Sequence, residues 1–243
     1  MSKLGVGPPF ALPGTWRTFA IMPVMSSLTS PAEVVEAVRH MPVGALLVIH
    51  GFSWDDYELL LEELGDKSHA RVNYDAGRLE ILSPSLPHDK YEWFLNLFVV
   101  AYCESRGLKL LGLGHTTWKK KSAGKGVEAD ACYYVNTPVP TGRSSSLEAH
   151  PPPDICVEVD VTNSSLRKLS IYAALGVPEV WIYDESTFRF YALTDGKYSV
   201  IEESNVLPGL TGPLLVEGLE ACREGDAMDV LKGFRKRIQQ QNP

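Results

Sequence analysis

The sequence predicts an α/β fold with a central mixed β-sheet flanked by helices, on the strength of three observations. Ile155, Val157, Val159 and Val161 alternate with Cys156, Glu158 and Asp160, which is the period of a strand. Leu166, Leu169, Ile171, Tyr172 and Leu175 then fall largely on one helical face closed by Gly176, and the apolar run Val180, Trp181, Ile182, Tyr183 follows. Strand, helix and strand with short connections form a crossover unit whose two strands run parallel.

Taken in order, residues up to about Leu28 carry Pro8, Pro9, Pro13 and Gly14 without periodicity and read as a flexible or loosely docked arm. Ser30-Pro31-Ala32-Glu33 is a capping box with proline at the first helical position, so a short helix runs to about His40. Ser53 caps a second helix, with Asp55 and Asp56 in its first turn, Leu59, Leu60, Leu61 and Leu64 behind them, and Gly65 at its end. Strand-like runs over 70–74 and 78–82 around Asp75-Ala76-Gly77 predict a hairpin. Tyr91, Phe94, Leu95, Phe98, Val99 and Tyr102 predict a helix over 87–105, stopped by Gly107. Strands are expected at 108–113, 116–121 and 127–135, and the Pro-, Ser- and Gly-rich stretch 136–153 reads as an exposed insertion or mobile loop. Thr194-Asp195-Gly196 joins 188–193 to 197–202 in a second hairpin, and a last helix is expected over 216–237, ending in Lys232, Arg235, Lys236 and Arg237. The chain thus divides into an arm (1–28), a helical extension (29–52), the main α/β domain (53–212) and a helical tail (213–243).

With 243 residues, 44% of them hydrophobic, the chain can bury one full core with extensions. A net charge of −7 and a pI near 5.4 give no global attraction to nucleic acid, so such binding requires a local basic patch. The four cysteines are scattered and fit reduced, buried thiols better than disulfides or a zinc site. No apolar run approaches the roughly 20 residues that span a bilayer. Pro23 interrupts the mildly apolar stretch 19–25 and no basic segment adjoins it, so the expectation is a cytoplasmic protein without a signal peptide or a membrane partner.

Chemistry concentrates in the carboxylates of two strands. The run 127–135 puts Glu128, Asp130, Cys132 and Tyr134 on one face, and if it pairs with the strand of Glu158, about 4.8 Å away, Asp130 and Glu158 converge on one cation. Two carboxylates, waters and a phosphate oxygen suit Mg²⁺, which demands octahedral oxygen ligands. Lys168, about a turn into the following helix, can orient the attacking water or offset charge on a pentavalent transition state. Asp160 shares the face of Glu158, about 6.5–7 Å along the strand. The competing reading makes these carboxylates the solvated side of a sheet and Lys168 an ordinary surface cation. Lys119, Lys120, Lys121 and Lys125, with Ser122, Gly124 and Gly126, form a basic hairpin tip that either grips a phosphate backbone or is a solvated turn. Trp118 beside them either stacks on a base or belongs to the core.

The residues Pro153-Asp154, Glu158, Thr162-Asn163-Ser164, Lys168, Tyr172, Gly176-Val177-Pro178-Glu179, Trp181-Ile182 and Asp184 resemble the signature of the Uma-type restriction endonuclease family, within the PD-(D/E)XK nuclease superfamily. Gly77 to Ile81 with Ser83-Pro84 and His88, Glu128-Ala129-Asp130, and Leu207-Pro208-Gly209-Leu210 extend the likeness over about residues 53–210. The resemblance implies a restriction-endonuclease-like core and Mg²⁺- or Mn²⁺-dependent hydrolysis of DNA phosphodiesters. It assigns the metal-binding carboxylates to Asp130 and Glu158 and a displaced catalytic lysine to Lys168. Glu80 and His88 fall where the superfamily often adds an acidic residue, although His88 also suits a plain helix N-terminus. Departures from the family pattern stand at Asp160, Ser164 and Val180, and Asp160 either enlarges the metal site or spoils its charge balance. Cutting two strands makes a homodimer plausible. Two rival functions remain at this point: a catalytically inactive DNA-binding or protein-interaction module, favoured by the net acidity and Asp160, and a hydrolase of small phosphoesters.

Overall fold

A computed structural model describes residues 30–65, 68–135, 137, 146–148, 150–161 and 164–240. The arm expected over 1–28, the caps Thr162 and Asn163 and most of the 136–153 insertion lie outside the described residues.

Helix α1 (Pro31–Arg39) starts on the expected capping box: Ser30 accepts from the Glu33 backbone while the Glu33 side chain accepts from the Ser30 backbone. Strand β1 (Leu46–His50) follows, where the sequence suggested only a helical extension. Helix α2 (Trp54–Leu64) is capped by Ser53, which accepts from the Asp56 amide. The hairpin β2 (Arg71–Asp75) and β3 (Arg78–Leu82) forms as expected, and β1 adds to the free edge of β3 in antiparallel register, Val48 opposite Glu80. After the long helix α3 (Leu86–Arg106) come β4 (Leu110–Leu113) and β5 (Thr116–Lys120).

The run 127–135 is two strands rather than one, β6 (Lys125–Ala129) and β7 (Ala131–Val135), and they belong to different sheets. Next come β8 (Ile155–Val159), a 3-10 turn (Ser165–Lys168), α4 (Leu169–Leu175), which Gly176 closes in the left-handed region at φ 79°, and β9 (Glu179–Tyr183). The second hairpin is β10 (Phe188–Thr194) with β11 (Lys197–Ile201). The single C-terminal helix expected over 216–237 is instead α5 (Gly212–Ala221) and α6 (Ala227–Gln240). The break arises because Asp226 turns the chain and accepts from the Met228 amide at 2.9 Å, starting a new helix.

Two sheets result. One is five-stranded and antiparallel, in the order β1-β3-β2-β6-β5; the other is six-stranded, in the order β11-β10-β9-β8-β7-β4. The second is the mixed sheet: β8 and β9 are parallel, as the crossover requires, and its other neighbours are antiparallel. Ala131, Tyr133, Ile155, Val157, Trp181 and Tyr183 pack from one face of that sheet against α3, α5 and α6. Cys132, Tyr134, Cys156, Val180 and Ile182 pack from the opposite face against α4 and against Trp118, Val127 and Ala129 of the other sheet. A third cluster joins α1 and α2 to Leu47, Ile49, Val72, Tyr74, Leu79 and Ile81. Among the described residues no helix is long and apolar enough to cross a membrane.

The α2 cluster depends on one close approach. Tyr57 stacks on Tyr74 at 4.8 Å and lies over Gly126, where an added Cβ would stand 2.2 Å from the Tyr57 hydroxyl oxygen. We expect Gly126→Ala to lower stability by about 1–3 kcal/mol through overpacking, read as a lower urea midpoint at unchanged slope. An unchanged midpoint would place Tyr57 elsewhere.

Candidate active site

Asp130 is the one residue between β6 and β7, at the point where the chain leaves one sheet for the other. Val127 and Ala129 share a cluster with Cys132 and Tyr134, whereas Ala131 and Tyr133 face the opposite one, so the alternation slips by a residue at Asp130. The slip separates Glu128 from Asp130. Glu128 turns toward the Val72 amide and Arg71, at 3.3 and 3.5 Å, while Asp130 is fastened to β8. The Asp130 amide donates to the Val157 carbonyl at 3.1 Å, and the Val159 amide donates to Asp130 Oδ2 at 2.8 Å.

These contacts place Asp130 beside Glu158, and both carboxylates line one cavity of about 30 Å³ together with Glu80, His88, Asp160 and Lys168. Neither lies on a solvated face: Asp130 is 3% and Glu158 1% exposed. Buried carboxylates of this kind need partners. Lys168 Nζ donates to Glu158 Oε2 at 2.7 Å, Ser165 Oγ donates to the same oxygen at 3.1 Å, and the Tyr172 hydroxyl donates to Oε1. His88 Nε2 lies 3.0 Å from Asp130 Oδ2, and Arg71 Nε lies 3.6 Å from Oδ1.

The 3-10 turn aims Lys168 inward, and Asp160 holds the turn. Both Asp160 oxygens accept from the Ser165 amide, at 3.0 and 2.9 Å. Asp160 is thus committed to the backbone that carries Lys168, although it also borders the cavity. Glu80 is committed as well, to Arg78 and to Arg167 at 3.6 Å.

Charge state follows from this packing. Burial works against ionised Asp130, but the His88 contact, with help from Lys168 and the Val159 amide, outweighs it and holds the acid down at about 2. Burial also works against the imidazolium of His88, yet Asp130 raises it to about 9. Glu158 is pushed up to about 7 by burial and by neighbouring Asp130, with Lys168 opposing. Burial lowers Lys168, but Glu158 and Asp130 more than restore it, so it is raised and stays an ammonium. Glu92 rises to about 8, mainly through burial.

The lysine tip looks different from its sequence. Lys119 pairs with Glu58 at 2.8 Å, Lys121 with Asp55 at 3.0 Å and Lys125 with Asp75, so acids of α2 and β2 compensate three of the four cations. Lys120 is half-buried at the end of β5. Trp118 is core, 2% exposed, with its indole N–H 3.3 Å from Cys132 Sγ.

Sequence reading missed Arg71, which stands among Asp130, Glu128 and Glu92 and donates to His115 Nε2 at 2.8 Å. It also gave no role to Ser165 or to Tyr172 as holders of Glu158. Tyr172 had a signal: it follows Lys168 by four residues, so the two share a helical face toward β8. His88, Asp89 and Glu92 bring ligand atoms within 4.8 Å of one another on the N-terminal part of α3, and of the three His88 borders the cavity.

A family model, Uma2, described as "Putative restriction endonuclease", matches residues 54–227. Among curated proteins nothing matches the chain. Among solved structures, a "putative nuclease belonging to DUF820" from Anabaena variabilis ATCC 29413 is 14% identical, with a TM-score of 0.44, over 74% of this chain and 97% of that one.

The His88 pair gives the fold a pH signature. His88 is raised above its ordinary 6.5, so its stabilisation is complete below 6.5 and is lost as pH climbs through about 9. Glu92, raised to about 8, acts in the same direction. Wild-type stability is expected to fall by roughly 3–5 kcal/mol between these limits, measured by denaturant unfolding across pH, and His88→Gln is expected to flatten that slope. A wild-type curve without slope would overturn the pairing.

Proposed function

Because the chain belongs to the Uma2 family of restriction-endonuclease-like proteins, we propose that it is a divalent-metal-dependent endonuclease hydrolysing DNA phosphodiester bonds. The observation that carries this reading is the convergence of Asp130, Glu158 and Lys168 on one buried cavity, from a sheet-to-sheet hinge, a strand end and the following turn.

The donor set fits a hard cation. Four carboxylates line the cavity, Glu80, Asp130, Glu158 and Asp160, and oxygen donors are what Mg²⁺ and Mn²⁺ take. Asp130 Oδ1 lies 3.6 Å from Arg71 Nε, and each carboxylate oxygen carries two lone pairs. Asp130 and Glu158, the most buried of the four carboxylates, would hold the ion. When bound, it supplies concentrated positive charge that polarises a phosphoryl oxygen and acidifies water.

The protein's own side chains account for the rest. His88 keeps Asp130 ionised and fixed in place. Ser165 and Tyr172 set the orientation of Glu158. Lys168, a buried ammonium on a turn pinned by Asp160, orients the attacking water and offsets the charge that builds on the phosphoryl oxygens. Lys119, Lys120, Lys121 and Lys125 would meet the DNA backbone by exchanging carboxylate partners for phosphates.

Purified protein incubated with supercoiled and linear DNA is expected to cut with Mg²⁺ or Mn²⁺ and to stop when a chelator removes the ion. Asp130→Asn, Glu158→Gln and Lys168→Met are each expected to reduce cleavage at least about 100-fold, with folding verified by melting. Absence of cleavage by wild type with either ion would favour the inactive nuclease-fold module instead. Asp160 separates two roles. As a cap it tolerates Asp160→Asn, which keeps one acceptor, better than Asp160→Ala; as a metal ligand it would lose about as much cleavage with either change.

A further inference from the structure

Glu80 lines the cavity beside Asp130 and Glu158, yet its carboxylate already serves two arginines. Arg78, two residues earlier on the same strand and the same face, pairs with it, and Arg167 from the 3-10 turn reaches it at 3.6 Å. Side-chain exposure rises outward along this trio, from 9% at Glu80 to 29% at Arg78 and 58% at Arg167. The carboxylate is the buried anchor and the guanidinium groups are the outer ends.

A groove of about 460 Å³ opens there, lined in part by Asn73, Asp75, Arg78, Glu80, Arg167 and Lys168. Asn73, Glu80, Arg167 and Lys168 also border the cavity of the carboxylates, so groove and cavity share a wall. Arg78, Arg167 and Lys168 face Asp75 and Glu80 in the groove; Lys125 neutralises Asp75, Glu158 takes Lys168 and Glu80 takes Arg78, so Arg167 is the cation in excess. In a chain of net charge −7 this mouth is locally positive. The larger groove between α2 and β5 has the opposite balance, with Asp55, Glu58, Glu62, Asp89 and Glu128 along it against Arg71 and Lys119.

We propose that Arg78 and Arg167, steadied by Glu80, form a clamp that takes the phosphodiester backbone of one nucleic-acid strand in this groove, directly outside Asp130 and Glu158. The proposal deepens the nuclease reading and rests on it. The guanidinium fork matches phosphate geometry and stays charged at any working pH. Arg167, 3.6 Å from Glu80, is beyond hydrogen-bond distance and exchanges that contact for a phosphate at little cost. Arg78 remains on Glu80 and keeps the buried carboxylate compensated while Arg167 is on the strand. Glu80 is then an anchor for cations and not a ligand of the metal.

The test measures binding apart from cleavage. Labelled single-stranded and duplex DNA oligonucleotides are titrated without divalent metal over a range of salt. Arg167→Ala is expected to weaken binding about tenfold and to lower the slope of log affinity against log salt by about one, with an unchanged melting temperature because its side chain is exposed. Glu80→Gln removes the competing carboxylate and is expected to tighten binding, which neither a metal-ligand role nor a purely structural one predicts. Wild-type affinity and salt slope in both variants would overturn the clamp. A wild type that cuts nothing with Mg²⁺ or Mn²⁺, yet loses binding in Arg167→Ala, sinks the hydrolytic reading and leaves the clamp standing. Normal cleavage with binding indifferent to Arg78→Ala and Arg167→Ala sinks the clamp alone.

Discussion

Burying ionised side chains in opposed pairs is the constraint that organises this molecule. Lys168 lies on Glu158, His88 on Asp130, and Arg71 among Asp130, Glu92 and Glu128, all at low exposure. Taking each such ion out of water costs several kcal/mol, and mutual attraction returns that only where geometry and further hydrogen bonds are good. Apolar residues of similar volume would hold a fold as well or better. The aromatic and aliphatic clusters supply the stability, with Phe98 stacked on Phe234 at 4.3 Å and Trp181 edge-on to Phe190 at 5.1 Å. The charges sit in a part of the structure where they are not needed for cohesion, which is what a site built for chemistry requires.

Backbone features hold those pairs in place. Asp130 receives its position from the passage between two sheets, and a one-residue slip in side-chain parity sends it toward β8 while Glu128 goes to Arg71. Glu158 is the fourth residue of β8, whose parallel pairing with β9 fixes its register opposite Ile182. The crossover between those strands begins as a tight 3-10 turn, and Asp160 grips the Ser165 amide with both oxygens. A looser or longer entry into α4 would leave Lys168 on the surface. Asp160, one of the three residues that depart from the resembled pattern, adds a carboxylate to the rim and turns it to the backbone of the Lys168 turn.

Much of this was legible in the sequence where the signal was local. The capping box at Ser30, the hairpin around Asp75-Ala76-Gly77, the helix stopped at Gly107 and the crossover closed by Gly176 are written in a few neighbouring residues, and the structure has them. Strand β1 was not legible, because Leu46 to His50 become a strand only by pairing with β3, a tertiary event that periodicity does not report. The division of 127–135 into two strands was hidden for a related reason: Val127, Ala129 and Ala131 look like one continuous face until a second sheet claims the first two. At the site, alternation together with the family resemblance pointed to Asp130 and Glu158, whereas their burial was not legible, since alternation gives a face and not what covers it. Arg71 and Arg167 went unnoticed because a single arginine on a strand or turn has no pattern; only their neighbours in space give them meaning.

The distribution of charge then explains how an acidic chain can still address a polyanion. Net repulsion discourages contact over most of the surface, and three of the tip lysines must leave Glu58, Asp55 and Asp75 before they can meet a phosphate. Salt screens these surface fields within about 10 Å, so what an approaching strand meets at close range is decided groove by groove. The groove between α2 and β5 presents carboxylates, and the one beside Glu80 presents guanidinium groups. The second shares Asn73, Glu80, Arg167 and Lys168 with the cavity of Asp130 and Glu158. On the proposed reading, the guanidinium groups beside Glu80 would hold a captured phosphodiester next to the carboxylates and the buried ammonium.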